Sequence, residues 1–379
     1  MNVQFMEQLN SSTKNVYLLV TDLHKSPRTP ANRKNYPKEI KVVENKIDEL
    51  INQYKSKGYS VNLIWLGDIF HRSYRSPDVS MSDKSDIALL CSKADKCYSV
   101  LGNHEETYEK DNPFWHLVKN IKSNKLTNIM SYRNWRPKGT MAFIDIVDRI
   151  EDGEVEFLFN HYSTDIIVPT PNKVSIGLFH KPIVFREILD DAKNNNRKMF
   201  ELSEEEMISE YNYTYLNDDN YLNGYQICYF GHNHLLYGNW NNNGVRYCYL
   251  GSLGRTNHIE VQNDFLERTI PAVIVENGKL EDICEHKFTL PNREECVKEE
   301  VVIKNKVLYE SNKERRKIKE YKGYSDDPIK NIKDSFLGNE YQYHIISNII
   351  ETTLEGNNDI IYETLVSNML KIEGDENNV

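Results

Sequence analysis

The chain lacks paired cysteine motifs. Its six cysteines, Cys91, Cys97, Cys228, Cys248, Cys284 and Cys296, contain no CxxC spacing, which excludes a zinc ribbon. Cys228 and Cys248 fall inside apolar runs, where a small buried thiol is expected, so all six read as free thiols of a reducing cytoplasm. No apolar stretch approaches the roughly 18 residues of a membrane span. The start, MNVQFMEQLNSSTKN, has neither a basic opening nor an apolar signal core. A fixed-period repeat is also missing. So is a basic excess: the net charge is −10, which does not draw nucleic acid to the chain as a whole but is compatible with a local basic surface. What is present, 379 residues with 39% hydrophobic content, suffices for one large core and a smaller module.

One pattern recurs. A short apolar, β-branched run ends abruptly in polar residues. NVYLLVTDLH ends at Asp22 and His24, VNLIWLGDIFH at Asp68 and His71, and CYSVLGNHE at Asn103 and His104. KVSIGLFHK ends at His180, YQICYFGHNH at His232 and His234, and VRYCYLGS at Gly251 and Ser252. Such runs read as buried strands. Between the first two lies PKEIKVVENKIDELINQYKSKG, where Ile40, Val43, Ile47, Leu50, Ile51 and Tyr54 share one helical face, Pro37 suits the start and Gly58 the stop. FWHLVKNI repeats the helical spacing with Phe114, Leu117, Val118 and Ile121. MAFIDIV and VEFLFNHY flank the turn EDGE and read as a hairpin. Strand, helix, strand is an α/β layout, in which ligand-binding residues gather beyond the strand ends.

The expected organisation is a core over 1–260, a small β-rich module over 261–312, a basic linker over 313–325 and helices over 326–372. PAVIVENG and HKFTL are the strands of the second module. KERRKIKEYK, with six basic and two acidic residues, reads as a solvated segment. Asp327 and Pro328 suit the N-cap and first position of a helix. The apolar helical stretches that follow are ordinary core or a face for a partner.

Asp22, His24, Asp68, Asn103, His180, His232 and His234 combine carboxylate, carboxamide and imidazole without sulfur, a donor set for Mn, Fe or Zn rather than Ca or Mg. Seven ligands exceed one tetrahedral ion and suit two ions that share a bridge. Asp68 is the natural bridge, because a carboxylate has two oxygens and a balancing charge. Two ions about 3.5–4 Å apart acidify a water and neutralise phosphate charge. His161 in FLFNHY also follows an apolar run and is the rival of His180.

In this order, DLH, GDIFH, GNHE, the run to His180 and GHNH resemble the calcineurin-like metallophosphoesterases over roughly residues 15–255. The resemblance implies a four-layer α/β sandwich of two mixed β-sheets flanked by helices, a small α+β capping module and C-terminal helices. It also implies that Asp22, His24, Asp68 and His234 hold one ion and that Asp68, Asn103, His180 and His232 hold the other. His104 would contact the scissile phosphate and protonate the leaving oxygen. His71, three residues after Asp68, and the strand ending in Gly251-Ser252 are similar to DNA repair exonucleases of the SbcD type and to related phage endonuclease subunits. That resemblance implies two divalent ions, with Mn2+ preferred over Fe2+ or Zn2+, a DNA substrate, an SbcC-type coiled-coil ATPase partner, a homodimer, and a cytoplasmic setting without membrane attachment. It makes His71 a residue that places the DNA strand. Three departures stand beside it: Leu-Gly does not follow DLH, the first motif begins late at residue 22, and Glu105 stands where the family often has Asp. The loop after the first motif carries Lys25, Arg28, Arg33, Lys34 and Lys38, read either as phosphate-backbone contacts or as a solvated loop. The alternative activities are hydrolysis of a small phosphoester by the same metals, or a scaffold subunit without catalysis.

Overall fold

The computed structural model describes residues 6–8, 14–25, 36–71, 81–106, 113–123, 142–185, 214–216, 222–234, 236–254, 266–292 and 295. All of them lie in the first of the chain's two compact units, Met1–Val301. The expected basic linker and C-terminal helices lie outside the described residues.

In chain order come β1 (Met6–Gln8), β2 (Lys14–Val20), α1 (Tyr36–Ser56), β3 (Ser60–Trp65), α2 (Met81–Lys93), β4 (Lys96–Ser99) and the short α3 (Asn103–Glu106). A 3-10 turn (Pro113–His116) leads to β5 (Val118–Lys122), β6 (Ile144–Val147), β7 (Arg149–Asp152), β8 (Val155–Asn160), β9 (Val174–Phe179) and β10 (Ile183–Phe185). Then follow β11 (Thr214–Leu216), β12 (Ile227–Phe230), β13 (Tyr237–Asn242), β14 (Val245–Leu250), β15 (Glu267–Glu276) and β16 (Lys279–Thr289).

Two seven-stranded mixed sheets result, ordered β1-β7-β8-β9-β12-β14-β13 and β16-β15-β2-β3-β4-β6-β5. Alternation along β2 shows why they stack. Tyr17 and Leu19 face one core with Ile64, Tyr98, Phe157, Phe159, Leu178 and Tyr229, which belong to both sheets. Val16, Leu18 and Val20 face the other way, onto Ile40, Val43, Ile47 and Leu50 of α1. A third cluster covers the outer face of the first sheet, where Phe179, Phe230, Tyr247 and Tyr249 meet Ile183 and Phe185 of β10. The fold is thus the expected α/β class with two mixed sheets. Among the described residues, long helices pack on only one of them.

The helix read over PKEIKVVENKIDELINQYKSKG forms as α1, with its apolar stripe buried. It ends where Gly58 takes φ +84, and the N–H of Tyr59 donates to the carbonyl of Tyr54 at 3.1 Å. The FWHLVKNI segment is not a helix: Val118–Lys122 is strand β5. Its pairing with β6 shifts register between Val118 and Asn120, so Val118 and Ile121 are both buried although three residues apart. A bulge mimics helical spacing there. The hairpin around the EDGE turn is also differently composed. Its arms are β7 and β8, while β6 within MAFIDIV belongs to the other sheet. The strands expected to found a separate module, β15 and β16, extend the core sheet instead, because Ala272–Glu276 of β15 pair antiparallel with β2.

Candidate two-metal site

Five parallel strands deliver the polar residues to one place. Asp22 and His24 follow β2, Asp68 and His71 follow β3, and Asn103 and His104 follow β4 in the second sheet. His180 follows β9, and His232 and His234 follow β12 in the first. Their ends meet across the stacked sheets, so residues up to 212 positions apart in sequence come within bonding reach.

Ligand atoms of Asp22, His24, Asp68 and His234 lie within 4.8 Å of one another, and those of Asp68, His180 and His232 form a second such set. Asp68 belongs to both. The Nε2 atoms of His24 and His234 are 2.8 Å apart, and His234 Nε2 is 3.3 Å from Asp22 Oδ1. Two imidazole nitrogens meeting this closely beside carboxylates are arranged as a shared cation would arrange them. On the other side His180 Nε2 stands 3.3 Å from Asp68 Oδ2 and 3.2 Å from Asn103 Oδ1, and His232 Nδ1 stands 3.1 Å from the same Asn103 oxygen. The His180 Nδ1–H donates to the Leu66 carbonyl at 2.6 Å, which leaves Nε2 as the ligand nitrogen. These donors fit two divalent ions of the Mn, Fe or Zn kind.

The backbone is bent to make this possible. Among the described non-glycine residues with φ in the left-handed region, four are candidate ligands: Asp22, His24, Asp68 and His232. The other three are asparagines, which tolerate that conformation. Such strain persists where surrounding structure over-determines it. Here the Asp22 carboxylate accepts from the His232 N–H at 3.0 Å and from the Thr21 hydroxyl. The N–H groups of Leu253 and Ser252 donate to the carbonyls of Asp22 and His234 at 3.2 Å each, so the Gly-Ser strand end ties two ligand turns together. The Tyr36 hydroxyl donates to the His24 carbonyl at 2.8 Å.

Glu105 is the residue that spacing does not reveal. Its buried carboxylate accepts backbone N–H groups from Asp68 at 2.7 Å, Ile69 at 2.9 Å and Gly102 at 2.9 Å. It therefore fixes the two turns that present Asp68 and Asn103. Burial and the Asp68 charge push its pKa up to about 8, against the pull of His180 and those N–H donors.

Electrostatics follow from the crowding. Burial alone would raise Asp22 and Asp68, but His180 and the neighbouring imidazoles outweigh it and hold both carboxyls well below the ordinary range. Burial pulls His180 down, yet Asp68 and Asp22 lift it to about 9. Burial dominates at His104 and His232, lowering them to about 4 and about 3. In the metal-free protein His104 is therefore mostly neutral at pH 7.

His71 and His104 complete a third group with His24, their nitrogens again within 4.8 Å. Ring centroids are 5.6 Å apart for His24 and His71, 5.0 Å for His24 and His104, and 5.6 Å for His71 and His104. Among the described residues His161 joins none of the candidate ligand groups. It accepts the Leu101 N–H at Nδ1, 3.0 Å away, and so supports the turn before Asn103. Lys25, expected in a phosphate-contacting loop, faces inward instead. It is 4% exposed and its ammonium pairs with Glu44 and, at 2.8 Å, with Asp86, which makes it an internal strut rather than a surface for phosphates. Lys38 sits on α1 and pairs with Glu295 at 2.8 Å. Arg28, Arg33 and Lys34 lie outside the described residues.

The model of the calcineurin-like phosphoesterases matches residues 16–236, more than half of the chain. The chain belongs to this family. No functionally curated protein matches it. Similar solved structures include vacuolar protein sorting 29 from Cryptosporidium parvum, with 10% identity, 73% of this chain and 100% of that one covered, and a TM-score of 0.28. A Haemophilus influenzae NAD nucleotidase has 13% identity, 73% and 50% coverage and a TM-score of 0.35. A Mycoplasma pneumoniae phosphatase has 10% identity, 74% and 95% coverage and a TM-score of 0.36. By its family the chain is a metal-dependent hydrolase, and the residues around Asp68 form a candidate metal-binding cluster. Among the described residues no helix is long and apolar enough to cross a membrane.

Proposed function

We propose that this phosphoesterase is a two-metal phosphodiesterase acting on DNA, the nuclease subunit of a recombination or double-strand-break repair complex. One observation carries the reading. His71 stands beside His24 and His104 but outside the two ligand sets that meet at Asp68. A third, partly exposed imidazole beside His24 and His104 and outside the two sets that share Asp68 supports a role in holding a substrate strand. When bound, the ions would supply Lewis acidity and an activated water. Asp22, His24, Asp68 and His234 would hold one, and Asp68, Asn103, His180 and His232 the other. His104 would meet the phosphate and, once that charge raises its pKa, give a proton to the departing oxygen. His71 would hold the adjoining strand. Manganese as the ion, a coiled-coil ATPase bound through the segment after residue 326, a homodimer and a cytoplasmic setting belong to the same proposal, on the strength of the SbcD-type resemblance.

The test is cleavage of single- and double-stranded DNA and of a chromogenic phosphodiester by the Mn2+-loaded chain, beside H104A and H71A variants. Both variants should retain two metal equivalents. H71A should lose about 10²-fold on DNA, the scale of a lost positioning contact. Hydrolysis of the small ester with no action on DNA, even with an ATPase partner present, would sink the nuclease reading in favour of a small phosphoester. No metal-dependent hydrolysis at all would favour a scaffold. Truncation near Asp326 should abolish co-purification with the ATPase and spare metal binding.

A further inference from the structure

In the proposed function the groups named so far hold the ions, the phosphate and one strand. A residue just past β8 adds an aromatic face. Tyr162 is partly exposed, and its ring centroid lies 5.5 Å from that of His232 and 6.5 Å from that of His180. Both histidines belong to the candidate set Asp68–His180–His232, so the ring borders that set, whereas His71 borders His24 and His104. Its backbone is held from both sides. The Tyr162 N–H donates to the Leu101 carbonyl at 2.9 Å, two residues before Asn103. Its carbonyl accepts from Lys181 Nζ at 2.9 Å, and that ammonium, 8% exposed, also binds the Thr164 carbonyl. Lys181 follows His180 directly, so the segment that carries Tyr162 is anchored to the two turns presenting Asn103 and His180. An aromatic ring fixed to this frame costs little ordering entropy when a flat group settles on it.

We propose that Tyr162 is a specificity-determining residue: its ring forms a stacking platform for the nucleobase or sugar next to the scissile phosphate. The inference rests on the reading of the substrate as a nucleic acid phosphodiester and adds a second wall to it. His71 contacts the strand beside His24 and His104, and Tyr162 receives the adjoining nucleoside beside His180 and His232. Base–aromatic stacking has no hydrogen-bond code, so it distinguishes nucleotides from simple phosphoesters without selecting among bases.

The test measures binding rather than turnover. Thymidine 5′-monophosphate, thymidine 3′-monophosphate and methyl phosphate are titrated into the Mn2+-loaded full chain by calorimetry. The probes are wild type, Y162F, which keeps the ring, and Y162L, which removes it. At least one nucleotide should bind wild type and Y162F more tightly than methyl phosphate does. Y162L should lose between about 5-fold and about 150-fold in nucleotide affinity, the span of one lost base stack. Its affinity for methyl phosphate should stay unchanged, which separates a lost platform from a damaged metal site. Overturning results are equal affinity of wild type for nucleotides and methyl phosphate, a preference that survives in Y162L, or equal losses on all three ligands. Because no step is turned over, this outcome is independent of whether DNA is cleaved.

Discussion

The turn before Asn103 offers a sharp test of how closely the protein is built around its ions. A Cβ placed on Gly102 would lie 2.2 Å from Asp68 Oδ1 and 2.8 Å from His180 Nε2. Gly102 is not in the left-handed region, so alanine is acceptable to its backbone and the whole effect falls on the site. Carbon and oxygen settle at about 3.5 Å, so the Asp68 carboxylate must retreat by roughly 1 Å. Metal–ligand distances tolerate about 0.2 Å, and Asp68 serves both ions, so G102A should weaken both. A 1 Å misplacement near the chemistry costs about 10²-fold in rate. Overpacking adds about 1–3 kcal/mol of lost stability. Gly58 supplies the contrast. It has φ +84 and nothing within 4 Å of its Cβ position, so G58A should cost roughly 1–2 kcal/mol of stability and leave the ions alone. Mn2+ dialysis, hydrolysis of a chromogenic phosphodiester and thermal unfolding in chelator report the three quantities. If G102A binds two Mn2+ with wild-type affinity and hydrolyses the ester within about threefold of wild type, the bridging role of Asp68 is wrong.

Two further expectations concern charge. His180 is lifted to about 9 in the metal-free protein, so at pH 7 it carries a proton that an ion at Nε2 must expel. Affinity should therefore fall as pH drops below about 9, with close to one proton released at pH 7; calorimetry in buffers of different ionisation enthalpy measures this, and release below about half a proton contradicts it. Lys25→Met should destabilise the chain by roughly 2–3 kcal/mol in denaturant, since it removes the buried ammonium between Glu44 and Asp86 and leaves the buried Glu44 carboxylate only the exposed Lys41 at 3.3 Å. It should leave the salt dependence of DNA binding unaltered, whereas a reduced slope would return Lys25 to the DNA surface.

The residues themselves determined the inventory. Each ligand lies within a few positions of an apolar run, and a run that stops at Asp, Asn or His is a local feature that needs no partner to be read. The stripe of α1 was equally legible, because helical periodicity is carried within one segment. Pairing was not. Whether Val118–Lys122 is helix or strand depends on β6, and whether Glu267–Thr289 founds a module or widens the core sheet depends on β2. The same holds for charge. Lys25 points inward because Glu44 and Asp86 wait there, and Glu105 acts through three N–H groups from two different turns. His161 and His180 follow similar strands, yet only His180 meets Asp68, while His161 supports the Leu101 turn. Sequence specifies which side chains end each strand. Only the stacking of two sheets, which brings their ends together and buries what lies between them, decides which of those side chains can share an ion.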